Sequence, residues 1–287
     1  MQTIAARCHQ IALCLAAFLL ADASLTAAPQ QPGRAEKRTY FFEDAKQDIE
    51  YRLYVPKSYD KEKATPLIVL LHGLGSTPHQ VIGYQGITTE AEKRGYIVVA
   101  PYGYNSRGWY GSRGEGKEGP FFGTRSDPDN LGALSQKDVM NVLGIVEKEF
   151  HVDADRVYLM GHSMGGAGTI HLATEFPDRW AALAPLAPAL DDKTSRLEKI
   201  RHLPVQLVMG DQDRMVPVAV VRKWAEEMKR LKMDYRYEEI PGGDHVTAIA
   251  RNAEMITKVF DFFDSKKRAA KATKGADKAP EPQPVGK

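Results

Sequence analysis

Val157-Tyr158-Leu159-Met160-Gly161-His162-Ser163-Met164-Gly165-Gly166 is the stretch on which the reading of this chain turns. Large and β-branched apolar residues run straight into Gly-His-Ser-Met-Gly, and a helix-compatible segment, Ala167 to Phe176, follows at once. That pattern predicts a strand, a very tight turn and a helix. A nucleophile on a sharp strand-to-helix turn needs strained backbone and neighbours without side chains, which is the physical content of the G-x-S-x-G spacing. Gly161 and Gly165 meet that need, so Ser163 is the candidate nucleophile, at the carboxyl end of a parallel strand. The backbone N–H of Met164, at the helix start, would face any oxyanion formed there. The pentapeptide alone also fits an ordinary N-cap serine. Three further elements weigh against that reading.

The first lies upstream. Pro66-Leu67-Ile68-Val69-Leu70-Leu71 is an unbroken apolar run, expected of a strand covered by helices on both faces. It ends in His72-Gly73-Leu74-Gly75, and a glycine-rich turn there lets a backbone N–H approach a ligand closely. The Leu74 N–H is therefore the second candidate oxyanion donor. His72 reads as a residue shaping this loop beside the substrate cleft rather than as a base. The second element follows the strand Val205 to Met209, in Gly210-Asp211-Gln212-Asp213-Arg214-Met215-Val216-Pro217. A carboxylate on such a turn can accept an imidazole N–H and fix its tautomer. Asp213 is the candidate, with Asp211 bracing the turn. The third is Pro241-Gly242-Gly243-Asp244-His245, after the strand Tyr235 to Ile240, and it makes His245 the candidate general base.

Other segments supply the frame. Thr39–Phe42 and Ile49–Val55 read as an antiparallel hairpin at the sheet edge, and Tyr96–Ala100 as another buried strand. Pro101 to Gly132 is long, irregular and rich in aromatic residues, including Trp109, Tyr110, Phe121 and Phe122. A loop of that length is usually functional, and these four are candidate cleft residues. Ser135 to His151 has helical apolar spacing, with Ser135 and Asp138 as a capping pair at its start. Only a short connection, Pro188 to His202, precedes the next strand. It leaves no room for a lid, and an open cleft suits bulky or polymeric substrates. The last helix is expected over Thr247 to Ser265.

The 287 residues, 43% apolar and 26% charged, suit one large domain, placed at residues 39–265. Residues 1–28 combine Arg7, a short apolar run from Ile11 to Ala21 and small residues up to Ala28, the pattern of a cleavable export signal. An uncleaved anchor is disfavoured by the shortness of that run. Both cysteines, Cys8 and Cys14, fall inside it, so the mature chain has none, which fits a bacterial periplasm or exterior where disulfides are allowed but not required. Residues 29–38 read as a flexible leader and 266–287 as a disordered basic tail. The formal net charge is +2; seven Lys or Arg against two Asp or Glu in the tail, and one of each in the signal, leave the remainder at −3. Nucleic acid is therefore not expected as a partner, nor is stable membrane insertion. The residues carry no signal for a metal or organic cofactor, or for an oligomeric state.

With these elements placed, residues 39–265 resemble the α/β-hydrolase superfamily, which implies a mostly parallel sheet flanked by helices. Gly161-His162-Ser163-Met164-Gly165-Gly166 with His72-Gly73-Leu74-Gly75 and no lid is similar to secreted esterases of the feruloyl esterase and polyhydroxybutyrate depolymerase group, and to the prolyl oligopeptidase catalytic domain. The resemblance implies a Ser163–His245–Asp213 triad acting through an acyl-enzyme on plant-wall or polyester-type esters. The mature chain expected after removal of residues 1–28 departs from that group in lacking cysteines to form disulfides, and the sequence departs from true prolyl oligopeptidases in lacking the N-terminal propeller. A serine peptidase or amidase, and a non-catalytic binding protein on the same scaffold, are the alternatives.

Overall fold

The computed structural model describes residues 32–117 and 124–268. The predicted hairpin forms as β1 (Ala35–Phe42) and β2 (Gln47–Tyr54), antiparallel, with Ala35 opposite Tyr54 and Phe42 opposite Gln47, so that Ala35 to Arg38, expected in the flexible leader, are instead paired strand residues. Five parallel strands build the interior and one closes the far edge: β3 (Thr65–Leu71), β4 (Ile97–Pro101), β5 (Val152–His162), β6 (Ala182–Leu186), β7 (Val205–Gly210) and β8 (Tyr235–Ile240). Their order across the eight-stranded sheet is β1-β2-β4-β3-β5-β6-β7-β8. β2 pairs antiparallel with β4, and every pair from β4 to β8 is parallel.

Each residue of β3, β4, β6 and β7 is buried, whereas edge strand β8 is not, the contrast expected when helices cover both faces of a parallel sheet. Those helices are α1 (Pro78–Ile82), α2 (Ile87–Arg94), α3 (Leu131–Glu149), α4 (Met164–Glu175), α5 (Val218–Arg230), α6 (Thr247–Ala250) and α7 (Ala253–Asp264). This is the α/β-hydrolase architecture expected from the sequence. Between β6 and β7 stands only the short 3-10 turn Thr194–Ile200.

Two helices differ from expectation. α3 begins at Leu131, so Ser135 and Asp138 lie in its second turn and point inward, both fully buried. They are not a capping pair; their polar atoms serve the loop packed on the helix, as described below. The last helix is broken in two at Asn252, whose side chain accepts from the Met255 N–H and so caps α7. α7 then buries Met255, Ile256, Val259, Phe260, Phe262 and Phe263. Among the described residues no helix is long and apolar enough to cross a membrane.

Candidate active site

β5 delivers Ser163 to the carboxyl edge of the sheet, where the chain reverses sharply into α4. Ser163 holds φ 58° and ψ −115°, a region that L-residues avoid. The flanking glycines are forced by crowding. A Cβ on Gly161 would sit 2.2 Å from the Gly165 carbonyl oxygen, and one on Gly165 would sit 2.3 Å from that of Leu71. The Ser163 N–H donates to Leu186 O at 2.9 Å, tying the turn to β6. Met164, as the first residue of α4, has an amide with no partner within the helix and stands at its electropositive end.

Three loops converge on this serine. The one after β3 passes so close that a Cβ on Gly73 would lie 3.4 Å from Ser163 Cβ, which brings Leu74 to the same opening. The loop after β7 carries Asp213, whose Oδ1 accepts from the N–H groups of Met215 at 2.8 Å and Val216 at 2.9 Å. Its Oδ2 accepts from His245 Nδ1 at 2.6 Å, and His245 Nε2 lies 2.9 Å from Ser163 Oγ. A carboxylate can only accept, so Nδ1 carries the imidazole proton and Nε2 presents its lone pair to the serine hydroxyl. Asp213 and His245 are both buried, at 9% and 5% exposure. Asp211 braces the turn as expected, accepting from the Gly242 N–H at 2.7 Å.

The hydroxyl opens into a cleft of about 520 Å³ walled by Leu74, Tyr84, Trp109, Met215 and Val246. Four large hydrophobic side chains are exposed among the described residues, and three of them, Leu74, Met215 and Val246, stand on this rim. Exposed apolar surface gathered around a polar centre is the pattern that makes this cleft the candidate binding site. Of the residues expected to line the cleft, Trp109 does so. His72 and Tyr110 do not, and both are fully buried beneath it. The His72 ring nitrogens lie 2.8 Å from Gly73 O and 2.9 Å from Tyr102 O, and burial lowers its pKa. Tyr110 donates its hydroxyl to His72 O at 3.1 Å. Phe121 and Phe122 lie outside the described residues.

Neighbouring aromatics take opposite sides because the backbone there is left-handed. Trp109, Tyr110 and Gly111 have φ of 55°, 53° and 82°. At Trp109 and Tyr110 this costs roughly 1–2 kcal/mol each. Helix α3 supplies the restraint. Ser135 Oγ accepts from the Tyr110 N–H at 3.0 Å, and Asp138 Oδ2 accepts from the N–H groups of Gly103 at 2.6 Å and Tyr104 at 3.0 Å. Asp138 Oδ1 accepts from the Tyr40 hydroxyl at 2.6 Å. Burial raises the Asp138 pKa to about 6, against the lowering effect of those hydrogen bonds. Above the cleft wall the Arg113 guanidinium stacks 4.6 Å over the Trp109 ring and donates to Ala189 O.

Sequence reasoning passed over four residues of this site, Met215, Val246, His162 and Tyr84. Met215 and Val246 each follow a candidate acid or base within two residues, a signal that exposed apolar residues beside functional loops could have provided. His162, next to the nucleophile, packs its ring 5.0 Å from that of His245. Its Nε2 lies 2.9 Å from the His245 carbonyl oxygen and its Nδ1 2.9 Å from the Tyr84 hydroxyl. Burial, aided by nearby His245, pushes the His162 pKa down to about 4, and burial pushes that of Tyr84 up to about 12. No sequence signal joins Tyr84 to His162, 78 residues away.

The model of the family described as "Putative esterase" matches residues 43–255. Among curated relatives, the bifunctional acetylxylan esterase/xylanase XynS20E of Neocallimastix patriciarum is 29% identical over 149 residues, covering 52% of this chain and 19% of that protein. The S-formylglutathione hydrolase of Rattus norvegicus is 29% identical over 146 residues, covering 49% of this chain and 51% of that one. The chain thus spans about half, or less, of the length of these relatives. Among solved structures, the fluorophosphonate-binding serine hydrolase F of Staphylococcus aureus superposes with a TM-score of 0.64 at 17% identity, covering 81% of this chain and 99% of that one.

Proposed function

The chain belongs to this esterase family, and from that premise we propose that it is a serine carboxylic-ester hydrolase working through an acyl-enzyme on Ser163. The observation that carries the reading is the unbroken hydrogen-bonded sequence from Ser163 Oγ through His245 to Asp213, set on a strained strand-to-helix turn. In the first step His245 Nε2 takes the Ser163 proton as Oγ attacks the ester carbonyl. The N–H groups of Leu74 and Met164 hold the resulting oxyanion, each worth about 3 kcal/mol of transition-state stabilisation. His245 then gives its proton to the departing alcohol, leaving an ester of Ser163. Water enters, loses a proton to His245 and attacks that ester, and Ser163 recovers its hydroxyl as the acid departs. Asp213 holds the imidazole in the required tautomer throughout.

The substrate class we infer is esters with bulky apolar or polymeric acyl or alcohol parts, of plant-wall or polyester type. The cleft, with only a short 3-10 turn between β6 and β7 among the described residues and with Leu74, Met215 and Val246 exposed on its rim, supports this, as do relatives named as acetylxylan esterase and feruloyl esterase. We further propose that residues 1–28 direct export, which a mature N-terminus between Ala23 and Ala28 would bear out. Hydrolysis of p-nitrophenyl acetate through decanoate and of methyl ferulate, by wild type and Ser163→Ala, tests the central claim. Loss of activity by several orders of magnitude in the variant is expected. Equal rates in the two proteins would remove Ser163 from the mechanism.

A further inference from the structure

His162 occupies the variable position of the nucleophile turn, and what its ring touches fixes its protonation. A carbonyl oxygen can only accept, so the nitrogen 2.9 Å from His245 O, Nε2, bears the hydrogen and donates it. Nδ1 then presents a lone pair, and the Tyr84 hydroxyl 2.9 Å away is its donor. Tyr84 thereby selects the tautomer that grips His245. The grip matters because His245 sits on a loop that follows Gly242 and Gly243, with no strand or helix of its own to hold it. Its side chain is held by Asp213 from the loop after β7, and its main chain is held by His162 from the end of β5. The carbonyl anchor of the base, His162, ends β5 and the nucleophile is the next residue, on the turn into α4, so any shift of Ser163 carries the anchor with it.

We propose that His162 is a positioning residue that locks the backbone of His245 to the nucleophile strand, and that Tyr84 orients it from the cleft wall. The proposal rests on the reading of Ser163 and His245 as nucleophile and base. It places the effect of both residues on the chemical step. Misplacing a base by a fraction of an ångström lowers turnover without weakening ground-state binding. It also gives the cleft a mechanical link to the base, because Tyr84 lines the substrate space and bonds the residue that holds His245.

The test compares wild type, His162→Leu, His162→Gln and Tyr84→Phe by kcat and KM on p-nitrophenyl butyrate, with active sites counted by a fluorophosphonate probe. Expected are a fall in kcat per labelled site of roughly 30-fold for His162→Leu and roughly fivefold for Tyr84→Phe, with KM within about twofold. His162→Gln, whose amide N–H replaces Nε2–H, should recover most of the His162→Leu loss. Labelled sites turning over at the wild-type rate in His162→Leu would overturn the proposal and leave His162 as packing only. If His162→Leu does not fold, wild-type turnover in Tyr84→Phe overturns it instead. Failure of the probe to react with wild-type Ser163 would be a different result, sinking the functional reading on which the proposal stands.

Discussion

Replacing Asp213 by Asn probes the acid-to-base contact without altering its shape. In the native turn Oδ1 is fixed by two main-chain N–H donors, Met215 and Val216, at 2.8 Å and 2.9 Å. An asparagine can satisfy those donors only with its carbonyl oxygen, so its NH₂ group must take the place of Oδ2 and face His245 Nδ1. A donor there forces the imidazole to turn its lone pair to Nδ1 and its hydrogen to Nε2, 2.9 Å from Ser163 Oγ. That nitrogen can then no longer accept the serine proton. The wrong tautomer is worth about 10,000-fold in kcat, or about 5 kcal/mol of activation free energy. The assay is steady-state hydrolysis of p-nitrophenyl acetate at neutral pH, with thermal unfolding followed in parallel to show that the fold is kept. Asp211→Asn is the control. Its amide oxygen can still accept from Gly242, and activity should stay within roughly threefold. A loss below tenfold for Asp213→Asn, or a larger loss for Asp211→Asn, would refute this account of the site.

Burial raises the Asp138 pKa to about 6, so the folded state binds this proton more tightly than the unfolded chain does. Its contribution is full below the ordinary value of 3.8 and lost as pH rises through about 6, which penalises the fold at neutral pH by an amount on the order of 3 kcal/mol. Asp138→Asn keeps the acceptor for Gly103 and Tyr104 and can donate to the Tyr40 oxygen, so its denaturation midpoint should exceed that of wild type at pH 8 but not at pH 4. Met215→Ser removes apolar rim and should raise KM for p-nitrophenyl octanoate about fivefold while changing that for the acetate less than twofold, as read from paired saturation curves. Gly161→Ala drives a methyl into the Gly165 carbonyl, and should cost about 3 kcal/mol or more in urea unfolding together with nearly all labelling of Ser163.

What the sequence discloses depends on whether the constraint is local. The glycines around Ser163 are legible because a side chain at either would collide with backbone a few residues away or on the adjacent strand. The parallel strands are legible because burial on both faces leaves them uniformly apolar, as in Leu67 to Leu71. Ser163, Asp213 and His245 could be picked out because each lies on a turn or loop that follows a strand at the same edge of one sheet, and the structure does bring them together. The start of α3 misleads because Ser135 and Asp138 have the spacing of a cap, while their true partners, Tyr110, Gly103 and Tyr40, come from elsewhere in the chain. Trp109 and Tyr110 are adjacent and chemically alike, and only a left-handed backbone decides which lines the cleft and which is buried beneath it. Nothing in composition or periodicity encodes that choice, nor the meeting of Tyr84 with His162.

The left-handed turn at Trp109–Gly111 also limits how the cleft can be re-engineered or exchanged. Its conformation is unfavourable on its own and persists because Ser135 and Asp138, on a different element, hold it down. Residues 102–111 are therefore not a transferable module. Grafted into a homologous scaffold without that serine and aspartate, the segment would relax to right-handed backbone and swing the indole out of the opening. A graft that carries the two helix positions along should bring the tryptophan wall with it. The unit that recombines intact is the loop together with one face of the helix beneath it, although the two are separate in sequence.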